Sequence, residues 1–321
     1  MTLLLPAVVL ATSMFTIHTD TTVVVKPGAR LSVENFGGSV KVSAWTRNAV
    51  HIEADHSSHS FVELEGSEDA LRISTSGRRG PPSAIDFRIS MPKWMDLRVS
   101  GVYTDMSVEG TEGEVRAQTV KGDLSVVGGR GFVTLQSVQG GVSARGTRGR
   151  VELSSVNETV EAADVQGDVR AEAVNGDVVL SGINSAMVEA STVNGDICYR
   201  GSIAKDGHYH FSTHSGDIDI GLPDDASAAV SVSTFSGEFE TVFKARLFDT
   251  GGKRFNFTLG SGGADLGLET FQGTIRLRHA GDRCGAAEGD DGQVKHREKE
   301  RVKTREKVKD AGTDSDPGGD E

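Results

Sequence analysis

The sequence predicts an all-β chain: a single-domain β-solenoid, or a closely related stack of strands, with coils of roughly 18 residues and two strands each. Three observations predict it. One short phrase repeats every nine residues from Gly113 to Tyr199, the phrase alternates apolar and polar residues, and a second period of eighteen lies on the first. Repeats of this kind mark stacked architectures, in which each unit buries its apolar face against the next.

Cut at its first residue, the repeat reads GEVRAQTVK, GDLSVVGGR, GFVTLQSVQ, GGVSARGTR, GRVELSSVN, ETVEAADVQ, GDVRAEAVN and GDVVLSGIN, then VNGDICYRG after a slip of one residue. With that first residue as position zero, position +2 is always Val or Leu, from Val115 and Leu124 to Val178. Position +4 is Ala, Val or Leu, as in Ala117, Val126 and Leu135, while +3 and +5 are mostly polar. Period-two alternation is the mark of a strand with one buried face, and glycine recurs too often for a helix. Position +7 is mostly Val or Ile (Val120, Val138, Val156, Val165, Val174, Ile183). The phrase Ser/Thr/Ala-Val-x-Gly returns every eighteen residues, at Thr119, Ser137, Ser155 (where Glu158 replaces the glycine) and Ala173, then one residue late at Thr192. Each strand is therefore expected to pair with its counterpart one coil away, about 4.8 Å distant, with the +7 valines stacked as an aliphatic ladder inside the prism. Glycine at the corners supplies backbone angles that a side chain forbids, and Asn175-Gly176 and Asn194-Gly195 are ordinary turn dipeptides.

Residues 1–20 hold the short apolar run MTLLLPAVVLATSMF, too short to span a bilayer comfortably as a helix. Ala11 and Ser13 are spaced like the small residues before a signal-peptide cleavage point, although no Lys or Arg precedes the run. Residues 21–278 are expected to form the solenoid domain, most regular over 113–199. Its opening, TTVVVKPGARLSVENFGGSVKVSAW, reads as three strands broken at Pro27-Gly28 and Gly37-Gly38. AVHIEAD, FVELEG, ALRISTS, IDFRISMP and DLRVSGV follow as further strands of a β-rich cap, with GRRGPP as a loop. Trp45 and Trp94 are expected to cover the first coil, which a solenoid otherwise leaves open. Beyond Tyr199 the corner phrase recurs with Phe for Val, at Thr234-Phe235 and Thr270-Phe271, predicting wider coils or coils that close the C-terminal end. Residues 279–321 change abruptly to a mixed-charge run and then DSDPGGDE, a composition expected to be disordered.

The net charge of −12 argues against nucleic acid as a partner, since phosphate binding needs a basic face. Two cysteines, Cys198 and Cys284, give no ground for assigning a disulfide. The Gly-Asp pairs at Asp123, Asp168, Asp177, Asp196 and Asp217 invite comparison with calcium-binding β-rolls, but the second corner glycine is absent and Gly141, Arg150 and Thr159 interrupt the series. Aspartate also simply suits a solvated corner. Histidines cluster at His51, His56 and His59 and at His208, His210 and His214. His208 and His210 share a strand face that could offer two imidazoles to a metal, with no further ligand at a matching spacing. No G-x-S-x-G, H-E-x-x-H or P-loop motif is present. Glu238 and Glu240 alternate on one strand, and Arg116, Arg170, Glu152, Glu172 and Glu189 fall on one sheet face, where charged residues are the default. No catalytic, cofactor or metal residue is assigned.

LSVENFGGSVKVSAW, the TVNGDI and SVQGGV phrases and the closing TFQGTIRL resemble the bacterial putative-adhesin family, over roughly Val23 to Arg278. The resemblance implies a repetitive β domain without established activity, located on the surface or in the envelope. The reading that follows is a non-catalytic, secreted or envelope scaffold whose flat faces meet glycans or envelope proteins. It has no transmembrane span and no cofactor. Two alternatives stand beside it: an enzyme acting on a polysaccharide along one β-helix face, and a cytosolic or membrane-proximal assembly factor.

Overall fold

The computed structural model describes residues 16–243, 246–249 and 254–281, without the side chains of Thr16 and 246–249. Residues 1–15 of the apolar segment expected over 1–20, Cys284, and residues 282–321 of the tail expected over 279–321 lie outside the described residues.

The described residues form 25 strands and no helix. The first seven are β1 (Thr16–Val24), β2 (Arg30–Trp45), β3 (Ala49–Ser57), β4 (Ser60–Ser67), β5 (Ala70–Gly77), β6 (Ile85–Pro92) and β7 (Asp96–Glu109). The repeat supplies β8 (Val115–Lys121), β9 (Leu124–Val127), β10 (Val133–Gln139), β11 (Val142–Arg145), β12 (Val151–Ser155), β13 (Val160–Ala163), β14 (Val169–Ala173), β15 (Val178–Ile183), β16 (Met187–Asn194) and β17 (Ile197–Gly201). The chain ends in β18 (His208–Ser215), β19 (Ile218–Leu222), β20 (Ala228–Ser236), β21 (Phe239–Thr241), β22 (Arg246–Asp249), β23 (Arg254–Leu259), β24 (Ala264–Gln272) and β25 (Ile275–His279).

The predicted coil is present in register. Val115, Val133, Val151 and Val169 pair in parallel, each eighteen residues from the last. Leu124, Val142, Val160 and Val178 do the same on the opposite sheet. Even-numbered strands β8 to β18 build sheet 1 and odd-numbered strands β9 to β19 build sheet 2. The long β2 and β7 run through both, so hydrogen bonding is continuous around the corner. Gly37-Gly38 therefore bends one strand, β2, and does not separate two as the sequence suggested. Positions +2 and +4 from both sheets meet in a single core, where Val133, Leu135, Val151, Val160 and Leu180 are fully buried. Each such side chain contributes about 1.5–3 kcal/mol.

The +7 column divides. Val165 and Ile183 are buried, but Val120, Val138, Val174 and Val193 are 40–49% exposed and line the outside of one corner. The expected interior ladder of Val120, Val138 and Val156 is thus corrected: the column exists, and it faces solvent. At that corner strand alternation runs one residue further, so Thr119, Ser137 and Ser155 point in and the next valine points out. At the opposite corner a left-handed residue (Gly128, Gly146, Asp164 or Gly182, φ 55–79°) breaks the alternation and turns the following residue inward.

Three further expectations change. The antiparallel pair β1–β3, the hairpin β4–β5 and strand β6 build the N-terminal end, with Ile52, Phe87 and Ile89 buried there. Trp45 and Trp94 are only half-buried beside them, donating to Ala49 O and Asn48 Oδ1. Past Tyr199 the interior widens through Tyr199, Tyr209 and Phe211, while Phe235 and Phe271 stand on the outer corner. Coil order also departs from chain order. β24 lies between β18 and β20, and β25 between β19 and β21, so the last coil fills a gap left by its predecessors.

Candidate interaction surfaces

The corner phrase is structural down to its side chains. Ser137, Ser155, Thr192 and Thr213 donate their hydroxyls to the carbonyls of Gly122, Gly140, Gly176 and Gly195 in the coil before. Those glycines stack so closely that a Cβ on Gly140 or Gly195 would strike the preceding corner carbonyl. The aspartates continue the pattern. The Oδ1 atoms of Asp105, Asp123, Asp177, Asp196 and Asp217 accept the amides of Asp123, Gly141, Asp196, Asp217 and Thr274 at 2.7–3.0 Å. Asp168 belongs to the other corner and pairs with Arg150 at 3.3 Å. Among the described residues no group of three or more His, Cys, Asp or Glu could hold a metal ion.

The candidate histidines do not converge. His51 points outward, stacked on Trp45 and 3.2 Å from Glu53, while His56 points inward and bonds Thr19. His59 is exposed at a turn, and His214 stacks on Phe271. Glu240 meets Arg276 at 3.3 Å, whereas Glu238 lies before the strand. On sheet 1, Glu152, Arg170, Glu189 and His210 fall in one outward row. Arg170 bonds Glu172 and Glu189, and the Glu172 carboxylate beside it pushes its pKa further up. Arg116 is engaged by Glu114. These charges neutralise one another.

Sequence reasoning missed a shallow groove of about 720 Å³ on sheet 1, across β16, β18, β24, β20 and β23. Its cause is local. Two small outward residues, Gly267 and Ala229, sink the surface among longer side chains. The His210 ring lies over Gly267, where an added Cβ would come 3.1 Å from Nδ1. His208 pairs with Asp265 at 3.2 Å on one side, and Ser231, Asn256 and Thr258 line the other. The signal in the sequence was Gly267, a glycine inside a strand, which often marks a site of close approach. The groove offers several hydrogen-bond donors and acceptors on a rigid floor.

The profile of the family described as Toastrack DUF4097 matches residues 12–278. No protein of curated function matches the chain. It is similar to the solved structure of a "putative adhesin" from Parabacteroides merdae, 10% identical, covering 81% of this chain and 95% of that one, TM-score 0.46. A second "putative adhesin", from Bacteroides fragilis, is 13% identical over 83% of this chain and 98% of that one, TM-score 0.44. A "putative cell adhesion protein" from Clostridium sporogenes is 11% identical over 82% and 100%, TM-score 0.25.

Proposed function

The chain belongs to the Toastrack DUF4097 family, and from that premise we propose that it is a non-catalytic, secreted or envelope scaffold that holds glycan chains on sheet 1. The observation carrying this reading is the groove over Gly267 and Ala229, a depression in sheet 1 edged by polar side chains. A pyranose presents hydroxyls in a ring, and His208, His210, Asp265, Ser231 and Asn256 supply matching donors and acceptors around one floor. Such shallow, solvated contacts are weak singly and gain strength when many copies act together. Among the described residues no helix is long and apolar enough to cross a membrane.

Purified chain on a glycan array tests the reading, with Ala229→Trp to fill the groove and His210→Ala to strip it. Retention of a glycan class that both variants lose supports it. Retention unaffected by both variants refutes the groove. Release of shortened sugar from a polysaccharide panel refutes the non-catalytic role.

A further inference from the structure

We propose that the exposed valine corner is a homodimer interface, with a second copy of this chain as its occupant. The column runs from Phe36 and Val102 through Val120, Val138, Val156, Val174 and Val193. His214, Phe271 and Phe235 continue it, their rings stacked at 4.7–4.8 Å and within 7° of parallel. Nothing in the coil demands valine there, because the side chain leaves the core. The rows on either side are largely uncharged, as at Gln136, Ser154 and Ser191 on one flank and Gln139, Asn157 and Asn175 on the other. Glu34, Lys121, Glu172, Arg254 and Glu269 are the charged exceptions. An apolar centre with a polar, charge-poor border is the composition of an interface core.

The asparagines are already engaged along their own column. Asn157 donates to Val138 O, Asn175 to Asn157 Oδ1 and Asn194 to Asn175 Oδ1. Recognition across this corner therefore falls to the valines. Ten rungs at about 4.8 Å and a width of roughly 15 Å give about 700 Å² per copy. A standard stable complex covers about 800 Å² per partner. Its centre is an unbroken column of exposed Val and Phe side chains, and contiguous apolar surface of this kind marks an interaction site.

A second copy fits this strip better than other occupants. Corner amides and carbonyls bond from coil to coil, as in Val156 N to Ser137 O and Val174 N to Ser155 O, so no peptide strand can be added there. The stacked rings present their edges, which removes the flat faces on which a sugar would lie. An anionic membrane needs a basic border, and this one has only Lys121 and Arg254, set against Glu34, Glu172 and Glu269 on a chain of net charge −12. A copy related by a two-fold axis brings a strip of identical pitch, so valine rungs interdigitate along its whole length.

Sedimentation equilibrium of the full chain, with the double variant Val138→Lys/Val174→Lys, tests the proposal. A dimer at micromolar concentration, weakened at least tenfold in the variant while circular dichroism and melting are unchanged, supports it. Added salt should tighten the dimer, since screening relieves the repulsion between two acidic copies. A monomer at about 100 μM, or a dimer indifferent to the variant, overturns it. Should the lysines unfold the chain, the near-isosteric Val138→Thr/Val174→Thr reads the same way: weaker association supports the interface, and unchanged association overturns it.

Discussion

The Asp177 carboxylate accepts the backbone amide of Asp196 at 2.8 Å, one coil along, and Asp196 in turn accepts the amide of Asp217. The Gly-Asp pairs are thus splints between coils, and the run breaks where Gly141 and Thr159 replace the acid. Losing one such bond at a solvated corner costs about 0.5–1.5 kcal/mol. Asp177→Ala should therefore lower Tm by about 2–4 °C. Calcium and a chelator should leave the melting curves of both proteins in place. A calcium-dependent rise in Tm that Asp177→Ala abolishes would sink the splint.

Gly195 sits where a Cβ would collide with the Gly176 carbonyl one coil below. Backbone-on-backbone packing of this kind has no flexible side chain to move aside, so the clash must open the coil spacing. Gly195→Ala is expected to destabilise by about 1–3 kcal/mol, the usual range for overpacking. Urea unfolding measures it, and a loss below about 0.5 kcal/mol would show that the corner is looser than the stacking implies.

Positions +2 and +4 were legible because a strand with one wet face must alternate, and Val133 or Leu180 could not be placed elsewhere. The corners misled because a valine at +7 looks the same whether it points in or out. The distinguishing residue was one position earlier: Thr119, Ser137 and Ser155 at one corner, Gly128, Gly146 and Asp164 at the other. Only the second set can reach left-handed angles readily. The inserted coil was not legible, since the phrases at Thr213, Thr234 and Thr270 are interchangeable rungs that any order would stack. The groove escaped because Gly267 and Ala229 are distant in sequence and gain meaning only as neighbours.

Asp164 is the one non-glycine in its left-handed column, at φ 55° beside Gly146 at 66° and Gly182 at 63°. Its amide bonds Ser181 O, so the strained angle is held by the stack. Aspartate tolerates this region better than most residues, yet glycine removes the Cβ penalty. The greater freedom of glycine in the unfolded chain offsets part of the gain. Asp164→Gly should raise stability by about 0.5–1 kcal/mol and Asp164→Val should lower it by more than about 1 kcal/mol. Equal stability of all three in urea would contradict the conformational argument.

Arg88 on β6 bonds Glu53 and Asp55 on β3, at 2.9 and 2.8 Å, while His18 on β1 adds a second bond to Asp55. The Arg88 guanidinium, with His51, holds Glu53 below its ordinary carboxyl value, and the His18 and Arg88 bonds do the same for Asp55. At pH values between the folded and unfolded pKa the unfolded chain binds more protons, so this part of the stability rises with pH. It is complete above the ordinary carboxyl pKa of about 4 and is lost as pH falls through the lowered folded values. The same bonds tie β1 to β3 and β3 to β6, so acid should loosen the N-terminal end first. Amide exchange in β1 and β3 should accelerate as pH falls below about 4, after correction for intrinsic rates. Arg88→Gln should already show the faster exchange at neutral pH and respond less to acid. Identical acid dependence in both proteins would remove Arg88 as the source.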